Sequence, residues 1–290
     1  MPRRSTAQTI GRLFPPAYFA LRSKLRRYRE TRRSSVQVRQ KRAQLDILAR
    51  LARDRVVLDV GAHRGAYTLE VAPHAAQVHA FEPNPELVQL LEDLFSFAPW
   101  PVEVHGFALS DREDIADLRV PRQRPGSATL EAENLHVNAL ADTEEMAAFR
   151  VPTRRLDDLN LDRVDLIKID VEGHQLPLLE GSRQTLNKCQ PDIFIEIDET
   201  HRHGSIQAID AWLEAAGYTG FFLIHPVLLP VRQFDVDAFH TRRDGQKGKV
   251  RINDFFYFHR DRLAAAKGRL EDITFAGSCG AEGFDVVTPR

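Results

Sequence analysis

The chain has 290 residues, of which 43% are hydrophobic and 28% are charged, an ordinary balance for a globular protein with a substantial core. No apolar run approaches the ~18 residues of a membrane-spanning helix, and Pro15, Pro16 and nearby charges interrupt the apolar core that a signal peptide would need. Cys189 and Cys279 are far apart and lack metal-ligand spacing. We therefore expect a cytoplasmic protein with reduced thiols and no disulfide framework.

The net charge of −1 conceals a strong asymmetry along the chain. Residues 1–42 contain 13 basic residues and one acidic residue, Glu30, whereas the rest of the chain contains 27 basic and 40 acidic residues. In this basic N-terminal arm, whose boundary we place at residues 1–44, apolar residues recur at steps of three and four. The pattern predicts an amphipathic helix that lies on an anionic membrane surface and makes the protein peripheral, with a solvated or self-docking helix as the alternative.

The first strand of a sheet is expected over residues 56–60, after a helix over residues 40–53. Asp59 lies in this strand, and Gly61 and Gly65 follow it in the pattern D-x-G-x-x-x-G. This spacing matches neither the phosphate-binding G-x-x-x-x-G-K-[ST] nor the dinucleotide-binding G-x-G-x-x-G. Because glycine tolerates positive φ and lets the backbone approach a ligand, the pattern predicts a ligand-binding turn, with an ordinary strand-to-helix turn as the alternative.

A second buried strand, residues 77–81, ends in an acid. Glu82 follows the strand directly, 23 residues after the acid of the first strand, and Pro83, Asn84 and Pro85 then begin a helix. This offset is close to the ~20 residues at which an acid binds ribose hydroxyls in a βαβ unit. The spacing predicts that Glu82 binds a diol, with a solvated strand-end acid as the alternative.

A cluster of ionisable residues follows a later predicted strand, residues 164–169. Lys168 lies within that strand, and Asp170, Glu172 and His174 come after it. If the strand continued, the three last residues would share one face, and His174 titrates nearest to neutral pH. We expect a general base or an acceptor-orienting acid among them, whereas a helix-start histidine and a structural Lys168 ion pair are the alternatives.

The rest of the chain alternates strands and helices. Further strands are expected over 102–107, 193–197, 219–224 and 250–258, and helices over 66–74, 85–95, 176–188 and 205–216. This alternation predicts an α/β fold with a mostly parallel sheet covered by helices on both faces. The last two strands and the loop 225–248 between them suit an antiparallel edge of the sheet, and the polar segment 111–150 is expected to be an insertion over the active site. The predicted domain spans residues 45–260, followed by a tail over 261–290.

The motifs DVGAHRGAYTL, FEPNP, LDDL, DLIKIDVEGH and LLEG occur in the order that is typical of the FkbM-type methyltransferases, which the chain closely resembles over roughly residues 45–260. The resemblance implies a Rossmann-like, seven-stranded sheet, mostly parallel with an antiparallel edge strand. It also implies S-adenosyl-L-methionine as cofactor and methyl transfer to a hydroxyl of a carbohydrate, polyketide or related small-molecule or glycan acceptor. The chain departs from the family at His63, where Asn is commoner, although both side chains can form hydrogen bonds.

The site residues expected from the motifs fall into two groups. The cofactor-binding group is Asp59, Gly61, Ala62, His63, Gly65, Glu82, Pro83, Asn84 and Asp111. The catalytic group is Lys168, Asp170, Glu172 and His174.

Three other interpretations of the sequence compete with this assignment. We assign no metal ligand, although a rival metal site would draw on Asp170, Glu172, His174, Glu196, Asp198, His201 and His203. Nucleic acid is not expected as a partner, because the body of the chain is acidic and lacks an aromatic and basic recognition motif. A non-catalytic module of the same fold, which contacts a membrane or a partner through the basic arm, is the alternative to an enzyme.

Overall fold

The structure, a computed structural model, describes residues 36–240 and 251–276. Its strands are β1 Val56–Val60, β2 Gln77–Phe81, β3 Val102–His105, β4 Ala108–Leu109, β5 Asp114–Pro121, β6 Met146–Arg154, β7 Leu166–Ile169, β8 Asp192–Glu196, β9 Tyr218–Ile224, β10 Val227–Pro230, β11 Asp254–His259 and β12 Thr274–Phe275. Nine of these strands form the central sheet, in the order β12-β10-β9-β11-β8-β7-β1-β2-β3.

The central sheet has the predicted α/β class, because β3, β2, β1, β7 and β8 are parallel neighbours. The predicted antiparallel strand is β11, but it lies inside the sheet, between β8 and β9, and is antiparallel to both. Two strands extend the sheet beyond the expected seven. β10 forms an antiparallel hairpin with β9, and the edge strand β12 pairs in parallel with β10. The loop expected over residues 225–248 therefore contributes a strand.

The helices cover both faces of the sheet, as predicted. They are α1 Val36–Leu51, α2 Ala66–Val71, α3 Pro85–Phe95, α4 Leu135–Ala141, α5 Gln175–Glu180, α6 Arg183–Cys189, α7 Ser205–Ala215, α8 Val236–Phe239 and α9 Leu263–Arg269. Ile193 and Ile195 of β8 pack with leucines of α5, α6 and α7, whereas Phe194 between them packs with leucines of α1 on the opposite face. This alternation is the period of two that a strand imposes on its side chains.

The helix expected over residues 176–188 is interrupted, and its two parts are α5 and α6. The break follows from close packing at Gly181, where an added Cβ would lie 1.9 Å from the carbonyl oxygen of Ser110. Gly181 therefore brings the end of α5 against the segment that follows β4.

The helix α1 runs through the domain boundary predicted between residues 44 and 45. Gln40 and Ala43 on one side of that position and Leu45 and Ile47 on the other are all buried. At the other boundary, α9 and β12 pack against the domain beyond residue 260. The amphipathic pattern of the basic arm lies outside the described residues. Among the helices of the described ranges, none is both long enough and apolar enough to cross a bilayer.

The predicted insertion is a second, smaller sheet with the order β4-β6-β5. β5 and β6 are antiparallel and pair over eight residues of each strand. This small sheet has a separate apolar cluster, which consists of Leu118, Val120, Ala147 and Val151. The sequence predicted no strands here because the segment is polar, and an antiparallel sheet can be polar on the face that is exposed to solvent. The segment between β5 and β6 contains α4 and returns towards the central sheet.

Candidate active site

A cleft that is partly open to solvent lies beside the ends of β1, β2 and β7. Its polar lining comes from the segments that follow these three strands: Gly61, His63, Glu82, Asp170, Glu172 and His174. Its other wall comes from the insertion and includes Leu118, Pro125, Gly126, Ala128 and Leu130. Ligands of open α/β sheets bind outside the carboxyl ends of the strands. The insertion thus forms a wall of the cleft at the expected place.

The glycine turn after β1 is fixed by close contacts. Gly61 has φ +75°, and an added Cβ would lie 1.8 Å from the carbonyl oxygen of Asp170. Gly65 has φ +77°, and an added Cβ there would meet side chains of α3. The backbone N–H groups of Gly61 and Ala62 both donate to the carbonyl of Phe81 at 3.0 Å. Gly65 and Ala62 therefore maintain the turn, whereas Gly61 also lines the cleft.

His63 occupies a left-handed backbone position in this turn, with φ +51°. Among residues other than glycine, Asn, Asp and His are enriched in this region. The exchange of the commoner family Asn for His63 is therefore compatible with the backbone. The ring of His63 lies beside the insertion, since a Cβ added to Gly126 would be 3.8 Å from its Cε1.

Glu82 is the buried acid of the cleft. Its Oε2 accepts the backbone N–H of His63 at 2.7 Å, and its Oε1 accepts that of Asn84 at 2.9 Å. Burial raises the pKa of Glu82 to about 7, against the effect of these two hydrogen bonds. Each carboxylate oxygen keeps capacity for a further hydrogen bond. Pro83 also lines the cleft, whereas the side chain of Asn84 caps α3 by accepting the N–H of Glu86 at 3.0 Å.

Asp59 and Lys168 form a buried ion pair beneath the glycine turn. Lys168 Nζ lies 3.0 Å from Asp59 Oδ1 and 3.7 Å from Asp170 Oδ2, and it donates to the carbonyl of Gly61 at 2.8 Å. Thr68 Oγ1 donates to Asp59 Oδ2 at 2.6 Å. Burial lowers the pKa of Lys168, but the carboxylates outweigh this effect and raise it overall. Neither member of the pair lines the cleft.

The chain reverses after Asp170, so residues 170, 172 and 174 do not share a face by strand alternation. Glu172 has φ +46° and Gly173 has φ +102°. Thr129 Oγ1 and Asn134 Nδ2, both from the insertion, donate to the carbonyl of Glu172 at 2.7 Å and 2.8 Å. The insertion therefore holds this turn in place, and all three ionisable side chains line the cleft.

The side chains of Asp170 and Glu172 have different surroundings. Asp170 is about one quarter exposed and faces Lys168. Glu172 Oε2 lies 2.7 Å from Nε2 of His201. Burial raises the pKa of Glu172, and the hydrogen bond from His201 opposes that effect. Asp170 is thus the more accessible of the two carboxylates.

His174 is held between two side chains at the wall of the cleft. Its Nδ1 lies 2.5 Å from Oε1 of Glu131, and its Nε2 lies 3.0 Å from Oγ of Ser110. A carboxylate can only accept hydrogen bonds, so an ionised Glu131 requires a proton on Nδ1. In the neutral ring, Nε2 then has the lone pair and is the basic atom.

A second ionic cluster links α1 to the neighbourhood of Asp170. Lys41 Nζ lies 3.6 Å from Asp254 Oδ2, and it also donates to the hydroxyl of Tyr67. The pKa of Tyr67 is raised well above its ordinary value, first by burial and then by the carboxylates of Asp254 and Asp170. Tyr67 is therefore no candidate for a base at neutral pH.

Asp111, which the motifs predict to bind the cofactor, does not line the cleft. Its side chain is exposed, accepts the hydroxyl of Ser110 at 3.1 Å and lies 3.1 Å from the guanidinium of Arg112. The turn into β5 directs it to the surface.

The rival metal cluster is not assembled in the described residues. His201 pairs with Glu172, whereas Asp198 pairs with Arg251 at 2.5 Å and with His240 at 3.1 Å. Asp198 is therefore already paired with a cationic side chain.

Two side chains of the His174 site escaped the sequence analysis, namely Glu131 and Ser110. Both lie outside the strand-end motifs: Glu131 reaches His174 because the insertion folds back over the sheet, and Ser110 directly follows β4. A local signal existed for the helix that follows Glu131, since Asn134 is an N-cap whose side chain accepts the N–H of Val137 at 3.0 Å. No sequence signal indicates the contact itself.

Comparison with known proteins shows which family the chain resembles in sequence. Residues 59–219 match the model of the Methyltransferase FkbM domain. The AMB antimetabolite synthetase AmbE of Pseudomonas aeruginosa is 31% identical over an alignment 202 residues long, which covers 58% of this chain, and the chain spans a tenth of that protein's length.

Solved structures of methyltransferases are similar to the chain over much of its length. Methyltransferase FkbM from Methylobacillus flagellatus KT is 17% identical with a TM-score of 0.46, and the match covers 84% of this chain and 58% of that one. The O-methyltransferase from Bacillus cereus, solved in complex with SAH, is 16% identical with a TM-score of 0.40, and the match covers 84% and 90%. The family assignment itself depends on the domain model, which spans more than half of the sequence. The chain belongs to the FkbM methyltransferase family.

Proposed function

We propose that this chain is an S-adenosyl-L-methionine-dependent O-methyltransferase in which His174 removes the proton of the acceptor hydroxyl. The observation that carries the proposal is the position of His174 in the cleft, with Nδ1 against Glu131 and Nε2 against the hydroxyl of Ser110. Such an arrangement fixes the tautomer in which Nε2 has the lone pair that can accept a proton.

The residues of the cleft fit the cofactor that the family implies. Glu82 is a buried carboxylate with acceptor capacity to spare, which suits the two hydroxyls of a ribose. Apolar side chains of Phe81, Pro83 and Leu87 line the same cleft and suit a flat base. Gly61 and His63 lie between this region and the turn after β7. When bound, the cofactor supplies an activated methyl group, so the protein needs no nucleophile of its own.

The chain's own contribution to catalysis is to orient the acceptor and to remove its proton. The hydroxyl of Ser110 can donate either to Nε2 of His174 or to Oδ1 of Asp111, at 3.0 Å and 3.1 Å. If it turns to Asp111, Nε2 is available to the acceptor hydroxyl. Asp170, which also lines the cleft, is placed to orient that hydroxyl. A positioned general base contributes roughly 10²–10⁴-fold to the rate.

The proposed acceptor is a hydroxyl of a carbohydrate, polyketide or related molecule. The family resemblance supports this class, and the related segment of AmbE belongs to a protein named as an antimetabolite synthetase. The insertion supports it too, because Leu118, Ala128 and Leu130 give the cleft an apolar wall of a kind that suits a small organic acceptor.

The test has two parts, binding and turnover. Calorimetry with S-adenosyl-L-homocysteine should show a 1:1 complex, and a folded protein that binds neither this product nor the cofactor would overturn the proposal. Methyl transfer from labelled cofactor to a panel of glycosides and hydroxylated polyketides then identifies an acceptor. With that acceptor, His174→Ala should lower kcat by about 10²-fold or more without changing cofactor affinity. His203→Ala, in the nearby exposed loop, is the matched control. A full rate in His174→Ala would exclude the general-base role.

A further inference from the structure

Two histidines and one acid meet on the last two strands of the central sheet, away from the ionisable residues of the cleft. His79 of β2 pairs in register with Glu103 of β3, and His105 lies two residues further along β3. Residues that are paired or two apart point to the same face of a sheet. Each of the three residues offers one possible metal-ligand atom, and these atoms lie within 4.8 Å of one another. Within residues 36–240 and 251–276, this is the group of histidine and acidic side chains that is close enough to hold a metal ion.

The spacing of the three ligand atoms fits a small divalent cation. His79 Nδ1 lies 3.0 Å from His105 Nε2 and 3.3 Å from Glu103 Oε2, and His105 Nε2 lies 3.9 Å from Glu103 Oε1. Ligands held about 2.0–2.1 Å from a tetrahedral Zn²⁺ are separated from each other by roughly 3.3 Å. The two separations from His79 lie near that value, whereas Glu103 approaches His105 through its other oxygen, at 3.9 Å. With one ligand atom from each residue, the three atoms lie within 4.8 Å of one another.

We propose that His79, Glu103 and His105 form a Zn²⁺ site that joins the edge strand β3 to β2. Two imidazole nitrogens and one carboxylate are a ligand set that Zn²⁺ uses in proteins, and a water completes the coordination. Glu103 is 57% exposed, so the ion has a path from solvent.

Burial of the two rings favours neutral imidazoles, the form that binds a metal. Burial lowers the pKa of both His79 and His105, whereas Glu103 opposes this effect. Arg154 is the nearby cation that acts on His105, and its guanidinium lies over the ring of Phe107. Without a metal, His79 Nδ1 and His105 Nε2 share one proton in a hydrogen bond. The experiment must distinguish this hydrogen bond from a metal site.

The proposed site lies next to the aromatic wall of the cleft. The ring of His105 stacks on Phe81 with a centroid distance of 4.5 Å, and it contacts Phe107 at 5.6 Å. Phe81 and Phe107 both line the cleft. A metal on His105 would therefore fix the position of this wall without contact with the reacting groups. Its role would be to stabilise the folded state.

The experiment measures metal binding to the full chain after dialysis against a chelator. Titration with Zn²⁺ should show one site per chain and raise the Tm of the protein, because an ion that binds the folded state stabilises it. Co²⁺ should give the absorption bands of a tetrahedral complex. His105→Gln and Glu103→Gln, which alter partly exposed side chains, should weaken Zn²⁺ binding by more than about tenfold. His136→Gln, on α4, serves as the histidine control and should bind as the wild type does.

Either of two outcomes overturns the metal site. One is a folded wild-type chain that shows no 1:1 Zn²⁺ binding at 100-fold molar excess and no tetrahedral Co²⁺ bands; the pair is then only a hydrogen bond. The other is Zn²⁺ binding that both His105→Gln and Glu103→Gln leave unchanged, which would place the ion elsewhere. Circular dichroism of each variant establishes that the fold is retained.

Discussion

Lys168 Nζ lies 3.0 Å from the carboxylate of Asp59, and both side chains are at most 5% exposed. Removal of one member of a buried pair leaves the other charge uncompensated. We therefore expect Lys168→Met to lower the free energy of unfolding by about 3–5 kcal/mol. The double variant Asp59→Asn with Lys168→Met should recover much of that loss, since no charge remains buried. Urea denaturation of the three proteins measures both effects. A loss below 1 kcal/mol in Lys168→Met would indicate that water reaches the pair.

The stability of the protein should decrease as the pH rises through neutrality because of Glu82. Its pKa is about 7 in the folded state, above its ordinary value of 4.5, so folding favours the protonated form. The stability that Glu82 contributes is fully present below pH 4.5 and is lost as the pH rises through about 7. The expected change is on the order of 3 kcal/mol. Unfolding curves at pH 5, 6, 7 and 8 should show this loss in the wild type relative to Glu82→Gln.

The control for that series is Glu86→Gln, an exposed acid at the start of α3. Its unfolding free energy should keep a constant offset from the wild type at all four values of pH. If Glu82→Gln and Glu86→Gln behave alike, Glu82 titrates as an ordinary surface acid and its burial does not control the pH response.

Cofactor affinity should depend on Glu82 more than turnover does. A hydrogen bond to a charged group contributes about 1.5–3 kcal/mol, so Glu82→Ala should weaken cofactor binding by that amount. The kcat at saturating cofactor should change much less, because Glu82 contacts no reacting atom in the proposed site. Calorimetry gives the affinity and methyl transfer gives the rate. An unchanged affinity would mean that Glu82 only maintains the turns at His63 and Asn84.

Glu131 should act on the rate through His174 and not through binding. Glu131→Ala removes the acceptor at 2.5 Å from Nδ1, so the ring loses the partner that fixes its tautomer. We expect kcat to fall by about tenfold or more, whereas the KM for the cofactor stays constant. Glu131→Gln, whose amide oxygen still accepts a hydrogen bond from Nδ1, should restore part of the rate. Equal losses in the two variants would point to a packing role.

The strand-end motifs could be located from the sequence because each lies within one short segment. The apolar run 56–60, the glycine spacing and the acid at residue 82 all depend on neighbours within 25 residues, and β1 and β2 have the predicted bounds. The role of Lys168 was left open between catalysis and an ion pair, and the structure resolves the pairing, because Asp59 and Lys168 are register partners on adjacent strands. Such a partner is defined only once the strand order is known.

The small sheet and the contacts of His174 could not be predicted for the same reason. Glu131 reaches His174 across 43 residues and Ser110 across 64. The insertion was recognised as polar, but a solvated antiparallel sheet has the composition of a loop. At His63 the structure adds a reason that the sequence did not supply. The sequence explained the exchange with Asn by hydrogen bonding, whereas the structure shows that this residue has a positive φ, which both residue types tolerate.

Removal of the basic arm should have different effects at two cut sites. Deletion of residues 1–35 removes ten of the thirteen basic residues and leaves α1 intact. It should keep cofactor affinity and reduce binding to anionic vesicles at low salt, since each basic residue near such a surface contributes about 1 kcal/mol. Deletion of residues 1–42 also removes Gln40 and Lys41, which bond to Leu223 and Asp254. We expect that cut to destabilise the domain by a further 1–3 kcal/mol, the approximate cost of unsatisfied buried groups. Vesicle co-sedimentation and urea denaturation separate the two effects, and unchanged vesicle binding by the shorter deletion would exclude a membrane role for the arm.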